Sequence, residues 1–506
     1  MQDGTRVAAV DLGSNSFRLE IGRVDHGQYH SSEYLKETIR QGDGLDEARN
    51  LTAQAMQRGW DCLARFGERL AGFQSTEVRA VATQTLREAR NRDEFLAHAR
   101  ELLGFPIEVI SGREEARLIY QGVAHALPQG NERRLVIDIG GRSTELILGQ
   151  GFEPKLMESY RVGSVAWSSR YFPERLFSKK AFQSAEIAAK AVLDEALNAY
   201  RRDAWDVAYG SAGTVGATGD VLAAAGWPTG LITRDGLDWL QDKLIDAKSA
   251  ERLHLVGLKD DRRPVIGGGL SVLRAVFSLL QIDQMQLAAG SLRHGVLFEL
   301  IGATSDQIDV RAQSVERLVA KFSVDAAQGL RVGKVALHLF SQVQQGRSRD
   351  SALGANGETE RDRRKLQWAA RLHEIGNLIA HSDYHKHGAY ILDNSDALGF
   401  SLSELHRLGQ LVLGHKGKLR KLELDLNDEV FVRQLLALRL AVILCHARRE
   451  PDLEGVHLAA HARDRKSFLI TCRVGWALSF PQSAHLLREE ALAWQKTPWS
   501  LLLELV

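Results

Sequence analysis

Asp138-Ile139-Gly140-Gly141-Arg142-Ser143-Thr144-Glu145 follows the apolar run Leu135-Val136-Ile137 and leads into Leu146-Ile147-Leu148. The order reads as strand, tight glycine turn, strand, with a carboxylate at each end of the turn. Gly140 and Gly141 open the backbone N–H groups to close approach by an anion. Ser143 and Thr144 add hydroxyl donors, and Asp138 and Glu145 can hold a hard cation through oxygen. A single hairpin of this kind is more readily an ordinary turn in which Asp and Gly serve only geometry. A second copy weighs against that. Near the N-terminus Val7-Ala8-Ala9-Val10 runs into Asp11-Leu12-Gly13-Ser14-Asn15-Ser16, and Phe17 to Gly22 alternates as a strand. Such self-similarity predicts two related α/β lobes that offer two glycine hairpins to one cleft.

At 506 residues the chain can bury several cores and is expected to form three or four units. With 44% apolar and 25% charged residues it has a globular composition, and a net charge of +1 hides any partner preference. The three cysteines, Cys62, Cys445 and Cys472, lack CxxC spacing and are odd in number, which argues against a disulfide framework or a zinc ribbon. No apolar h-region opens the sequence and no apolar run reaches membrane-spanning length, so a reducing, cytoplasmic setting is expected.

Working outward, Tyr29 to Arg40 predicts a third strand. A helix from Leu51-Thr52 follows, its core stripe being Met56, Trp60, Leu63, Phe66 and Leu70. After the strand Val78 to Thr83, Arg87 falls where strand gives way to helix. An Arg there suits bidentate phosphate binding, although a solvated helix-surface Arg is the commoner case. The strand Pro106 to Ile110 ends at Ser111-Gly112-Arg113-Glu114-Glu115. Ser111 and Glu114 have capping-box spacing; alternatively one of the paired glutamates points into the cleft as a general base for water. Beyond the second hairpin a strand is expected over Pro154 to Arg161 and a long helix over Lys179 to Tyr200. Two further glycine turns, Gly210-Ser211-Ala212-Gly213-Thr214 and Gly267-Gly268-Gly269, each read as an anion-facing helix start or as close packing.

The ordered set Asp-Leu-Gly-Ser-Asn-Ser, Ala-Thr-Gln-Thr-Leu-Arg, Ile-Ser-Gly-Arg-Glu-Glu-Ala-Arg and Asp-Ile-Gly-Gly-Arg-Ser-Thr-Glu resembles the exopolyphosphatase / guanosine pentaphosphate phosphohydrolase (Ppx/GppA) family of the actin-like superfamily. The resemblance implies an α/β fold with two actin-like (ASKHA, ribonuclease H-like) lobes over 1–127 and 128–303. An all-α HD-like domain over 304–442 and a small C-terminal α/β unit over 443–506 would follow. It implies that Glu115 orients and deprotonates the attacking water, that Arg87 stabilises the transferring phosphoryl group, and that Asp138 and Glu145 serve Mg²⁺ and water activation, with Asp11 as a further metal ligand. Ser14, Asn15, Gly140, Gly141, Ser143 and Thr144 would cradle the terminal phosphates, joined by Arg142, Gly213 and Gly268. Arg142 departs from the small residue usual at its position and brings a cation to the phosphate track. Phosphoryl transfer to water needs positioning and charge neutralisation above all, which this set supplies.

The C-terminal half turns helical, with Val315 to Phe322, Gly333 to Gln345 and Asp362 to Ile379 as helices and 346–360 as a polar loop. Leu372-His373-Glu374-Ile375-Gly376 is similar to an HD metal motif in which Glu374 stands at the Asp position, the mark of a remnant rather than a working site. His381, His385, Lys386, His387, His415, Lys416, Lys418, Arg420 and Lys421 cluster in two stretches. They form either a solvated face or a channel that grips a polyanion by its backbone charge. The channel reading favours Mg²⁺-dependent, processive exopolyphosphatase action on inorganic polyphosphate, with guanosine pentaphosphate hydrolysis as the alternative and a non-catalytic sensor as a third reading. A homodimer is implied by the resemblance; no nucleic-acid partner and no membrane span are expected.

Overall fold

In the computed structural model, which describes residues 4–25, 28–128, 130–302, 310–344, 355–395, 397–419, 426–461 and 466–505, a three-residue turn pairs β1 (Arg6–Leu12) with β2 (Ser16–Asp25). The register sets Asp11 opposite Arg18. Strand β3 (Gln28–Thr38) extends this antiparallel meander. The chain returns through α1 (Ala53–Arg69) to β4 (Val78–Ala82), parallel to β1. It then passes through α2 (Gln84–Glu88) and α3 (Arg92–Leu103) to β5 (Ile107–Val109), parallel to β4, and leaves by α4 (Gly112–Ala126). The Thr52 hydroxyl accepts the Ala55 N–H and caps α1, whose buried stripe Met56, Leu63 and Phe66 turns onto the sheet. The sheet order is β3-β2-β1-β4-β5.

The second lobe repeats the plan. Strands β6 (Arg133–Ile139), β7 (Thr144–Gln150) and β8 (Glu153–Tyr160) form an antiparallel meander with Asp138 opposite Glu145. Helices α5 (Ser164–Tyr171) and α6 (Lys179–Leu193) lead to β9 (Val207–Ser211), parallel to β6. After α7 (Ala212–Ala224), β10 (Leu231–Thr233), α8 (Arg234–Ala247) and α9 (Ile266–Leu279), β11 (Gln284–Leu287) lies parallel to β9, and α10 (Leu292–Gly302) ends the unit. The order β10-β11-β9-β6-β7-β8 is that of the first sheet with one extra edge strand. Adding 127 to positions 11 and 18 gives 138 and 145, so the two hairpins are register-matched copies. This is the expected pair of related α/β lobes, within one unit that spans 1–307. The helix predicted over 179–200 stops at Leu193, because Tyr200 turns inward and its hydroxyl donates to the Leu146 carbonyl at 2.7 Å.

The second unit, 308–506, is helical first: α11 (Val310–Lys321), α12 (Ala326–Gln344), α13 (Ala355–Leu372), α14 (Tyr384–Asp393), α15 (Leu402–Gly414) and α16 (Glu429–Leu444). Strands β12 (His457–Ala460) and β13 (Ser467–Cys472), helices α17 (Trp476–Ser479) and α18 (Pro481–Trp494), and β14 (Ser500–Leu505) close it. Phe340, Leu366 and Phe431 share one apolar core with Leu458, Phe468 and Trp499, so helices and small sheet fold around the same interior. The predicted loop over 346–360 falls partly outside the described residues, and from Ala355 it is already α13. The helix predicted to Ile379 ends at Leu372, after which Arg448 anchors Glu374 at 2.6 Å. Among the described residues no helix is long and apolar enough to cross a membrane.

Candidate active site

Helix α4 starts at Ser111, whose hydroxyl accepts the Glu114 N–H at 3.2 Å. Neighbouring helical residues diverge by about 100°, and the paired glutamates part accordingly. Glu114 is fully buried and receives Arg117 on both oxygens at 2.8 Å, whereas Glu115 faces a cleft of about 350 Å³ between the two lobes. Asp11, Ser14 and Asn15 of the first hairpin line the same cleft, as do Asp138, Gly140, Gly141 and Ser143 of the second, and Gly213 at the start of α7. The hairpins meet closely: a Cβ on Gly141 would stand 3.0 Å from the Ser14 Cβ, tighter than an ordinary contact. Asn15 leaves its buried side-chain oxygen without a partner, while the Gly140 N–H is spent on closing the turn onto the Ser143 carbonyl.

Five predicted residues stand elsewhere than expected. Arg87 donates Nη1 to Glu115 Oε2 at 2.7 Å and to the Ile110 carbonyl at 2.9 Å, and both its other nitrogens to Gln84. It therefore holds the glutamate instead of lining the phosphate cleft. Glu145 lies buried behind the lining, accepting the Ser159 hydroxyl at 2.7 Å. Thr144 spends its hydroxyl on the Val162 carbonyl at 2.6 Å. Arg142 turns from the cleft to Glu88, with Nη2 at 2.8 Å, and to the Gly42 carbonyl at 3.0 Å. Gly268 gives its N–H to Ser168, and a Cβ there would collide with the α5 backbone, 2.4 Å from the Ser168 nitrogen; this glycine permits helix packing.

Charge accumulates around the cleft. Burial raises the Glu115 carboxyl, opposed by Arg87 and reinforced by Asp11. Burial also lifts Asp138 to about 7, with a Ser211 hydrogen bond pulling it down and Glu115 pushing it up. Glu145 is driven well above the carboxylate range by burial and by the charges of Glu115 and Asp138. Four carboxylates thus share a low-dielectric region with Arg18, which pairs with Asp11 at 2.8 Å, and Arg87. Among the described residues no three acidic, His or Cys side chains converge into a ready-made metal site, so Asp11, Asp138 and Glu145 are not gathered as the expected ligand trio. Asp11 and Asp138 both line the cleft, and two carboxylates with phosphate oxygens and water form a donor set that suits Mg²⁺.

Sequence reasoning passed over a cationic wall in the same cleft: Arg18, Lys36, Lys259, Arg262 and Arg293. Lys36 pairs with Asp261 at 2.6 Å, and the Arg293 guanidinium lies 4.7 Å from the Tyr34 ring centre. Burial and the Arg18 charge lower Arg262. Arg18 was legible in principle, since it holds in the first hairpin the place of Glu145 in the second; the others come from distant segments without a local signature.

In the second unit the basic cluster divides. His415 is buried, its Nδ1–H on the Val412 carbonyl at 2.5 Å and its Nε2 3.3 Å from the Tyr384 hydroxyl. Burial holds His415 well below the ordinary imidazole range, and lowers buried His385 as well. Neutral, enclosed imidazoles cannot be cationic rungs of a channel, which corrects that part of the expectation. His381, Lys386, Lys416 and Lys418 are exposed and His387 is half-buried; Lys386 pairs with Asp383 at 3.0 Å, and Lys416 sits 4.6 Å from the Tyr384 ring centre. Arg420 and Lys421 lie outside the described residues. His373 is buried with its Nδ1–H on the Ala370 carbonyl at 2.7 Å, and Glu374 is taken by Arg448.

Comparison with known proteins bears on this geometry. Residues 21–303 match the model of the Ppx/GppA phosphatase family, and residues 310–496 match that of Ppx/GppA phosphatase, domain III. Over 499 residues, 98% of both chains, the sequence is 38% identical to a guanosine-5'-triphosphate,3'-diphosphate pyrophosphatase of Vibrio vulnificus. It is also 38% identical over 501 residues, again 98% of both chains, to the protein of that name in Vibrio cholerae. An exopolyphosphatase structure from Cytophaga hutchinsonii aligns with a TM-score of 0.53 at 24% identity, covering 59% of this chain and 98% of that one, a likeness of fold.

Proposed function

The chain belongs to the Ppx/GppA phosphatase family, and from that premise we propose that it hydrolyses guanosine 5'-triphosphate 3'-diphosphate to the tetraphosphate and orthophosphate. The observation that carries this reading is the cationic wall. Arg18, Lys36, Lys259, Arg262 and Arg293 share one cleft with the phosphate hairpins; Asp11, Asp261 and Glu20 offset part of this charge, and the cations still concentrated there suit an anion. A nucleotide with a second, separate diphosphate supplies that anion while its terminal phosphate sits at the hairpins. The full-length likeness to the two Vibrio proteins supports the same substrate. The polyphosphate reading, which the basic stretches 381–387 and 415–421 favour, loses part of its basis because His385 and His415 are enclosed and neutral.

Ser14 and Ser143 hydroxyls and the Gly141 backbone receive the terminal phosphate. Glu115 orients a water and takes its proton as the oxygen attacks the terminal phosphorus. The bond to the bridging oxygen breaks, and orthophosphate departs from the tetraphosphate. Arg87 holds Glu115 in place throughout. Asp11 and Asp138 would hold Mg²⁺, which would supply neutralisation of the phosphate charge.

Hydrolysis in ¹⁸O-water tests the reaction. Label in the released orthophosphate with unlabelled tetraphosphate is the expected result; label in the nucleotide, or release of pyrophosphate, would overturn it.

A further inference from the structure

Arg142, one of the second hairpin's turn residues, occupies the place that Asn15 holds in the first (15 plus 127). Its guanidinium crosses to the first lobe, where Nη2 and Nε donate to Glu88 Oε2 at 2.8 and 3.1 Å and Nη1 to the Gly42 carbonyl at 3.0 Å. The other Glu88 oxygen accepts the Gln84 amide at 2.6 Å. That bond fixes the Gln84 side-chain oxygen toward Arg87, which gives it Nε and Nη2 at 3.0 and 2.7 Å and keeps Nη1 for Glu115 at 2.7 Å. Burial works against ionised Glu88, yet Gln84 and Arg142 hold its carboxyl below the ordinary value. Gln84 is buried, and Arg142, Glu88, Arg87 and Glu115 have side chains only 23%, 11%, 12% and 9% exposed.

We propose that Arg142 is a positioning residue that, through Glu88, Gln84 and Arg87, sets the general base Glu115 only when the two phosphate hairpins are apposed. Each link is a charged or amide group with a single favourable orientation, so the orientation imposed at Arg142 is passed to Glu115. Arg142 reaches Glu88 across the lobes while the hairpins stand apposed, and parting them would break that contact. Water activation is thereby tied to the apposition of the two hairpins. The inference rests on Glu115 acting on water, as proposed above, and is independent of which phosphate chain is cleaved.

Arg142→Ala is expected to lower kcat by about ten- to a hundredfold with KM little changed, because misplacing the base slows chemistry and leaves binding intact. Arg142→Lys should restore part of the loss. Glu88→Gln should impair kcat similarly, and adding Arg142→Ala to it should cost little more. A rise in KM at constant kcat would make Arg142 a phosphate ligand and overturn the proposal, as would additive losses in the double variant. A crystal structure of Arg142→Ala supplies a readout without substrate. Displacement of Gln84 and Arg87 is expected, and an unchanged 2.7 Å Arg87–Glu115 contact would refute the relay even if the nucleotide proves not to be the substrate.

Discussion

Arg87 Nη1 lies 2.7 Å from Glu115 Oε2, both side chains almost enclosed, so the cation is a holder of the base. Arg87→Gln should therefore leave Glu115 mispositioned and less readily ionised, since burial alone raises its carboxyl. Expected is a loss in kcat of about a hundredfold with KM changed far less. Steady-state kinetics of orthophosphate release checks this; a loss confined to KM would return Arg87 to direct phosphate binding.

Glu115→Gln keeps size and most hydrogen-bonding capacity but cannot accept the water proton. Hydrolysis should fall by about 10²–10⁴-fold, while equilibrium binding of the nucleotide, read by calorimetry, stays near wild type. Near-normal turnover would remove Glu115 from the chemistry.

Gly213 abuts the cationic wall: a Cβ there would stand 2.1 Å from an Arg262 guanidinium nitrogen. Arg262 can swing aside, so Gly213→Ala should fold normally and weaken nucleotide affinity by about tenfold. Equal melting temperatures with a raised Kd would bear this out; an unaltered Kd would show that Arg262 does not meet the ligand.

The second unit should be acid-sensitive through His415. Burial, with the charge of His373 adding to it, places its folded pKa well below the 6.5 of a free imidazole. The unfolded chain thus binds the extra proton, and the associated stability is present above about pH 6.5 and lost as pH falls below it. Thermal unfolding at pH 7.5 and pH 5.5 should show a smaller acid-induced drop in His415→Asn than in the wild type. Equal drops would mean that His415 does not carry the sensitivity.

Much of the first unit was legible because its information is local. The Asp-x-Gly hairpins, the period-two strands around them and the Ser111 cap each declare themselves within ten residues. Matching the two hairpins also exposed the duplication, and the structure bore out the shared topology. Arg142 and Arg87 were misread for the opposite reason. Whether an Arg beside a phosphate loop meets the phosphate or a protein carboxylate depends on Glu88, Gln84 and Glu115, which no local pattern links. The histidines of the second unit failed similarly: exposure of His415 is set by Tyr384, His373 and His385, which pack around it. A charge run shows composition but not which residues a core encloses.

Side-by-side kcat/KM for orthophosphate release with Mg²⁺ from guanosine 5'-triphosphate 3'-diphosphate and from long-chain polyphosphate tests the central claim most directly. A cleft with a second phosphate-sized cationic wall should favour the nucleotide by about tenfold or more. Preference for polyphosphate, or no release from either substrate, would contradict it.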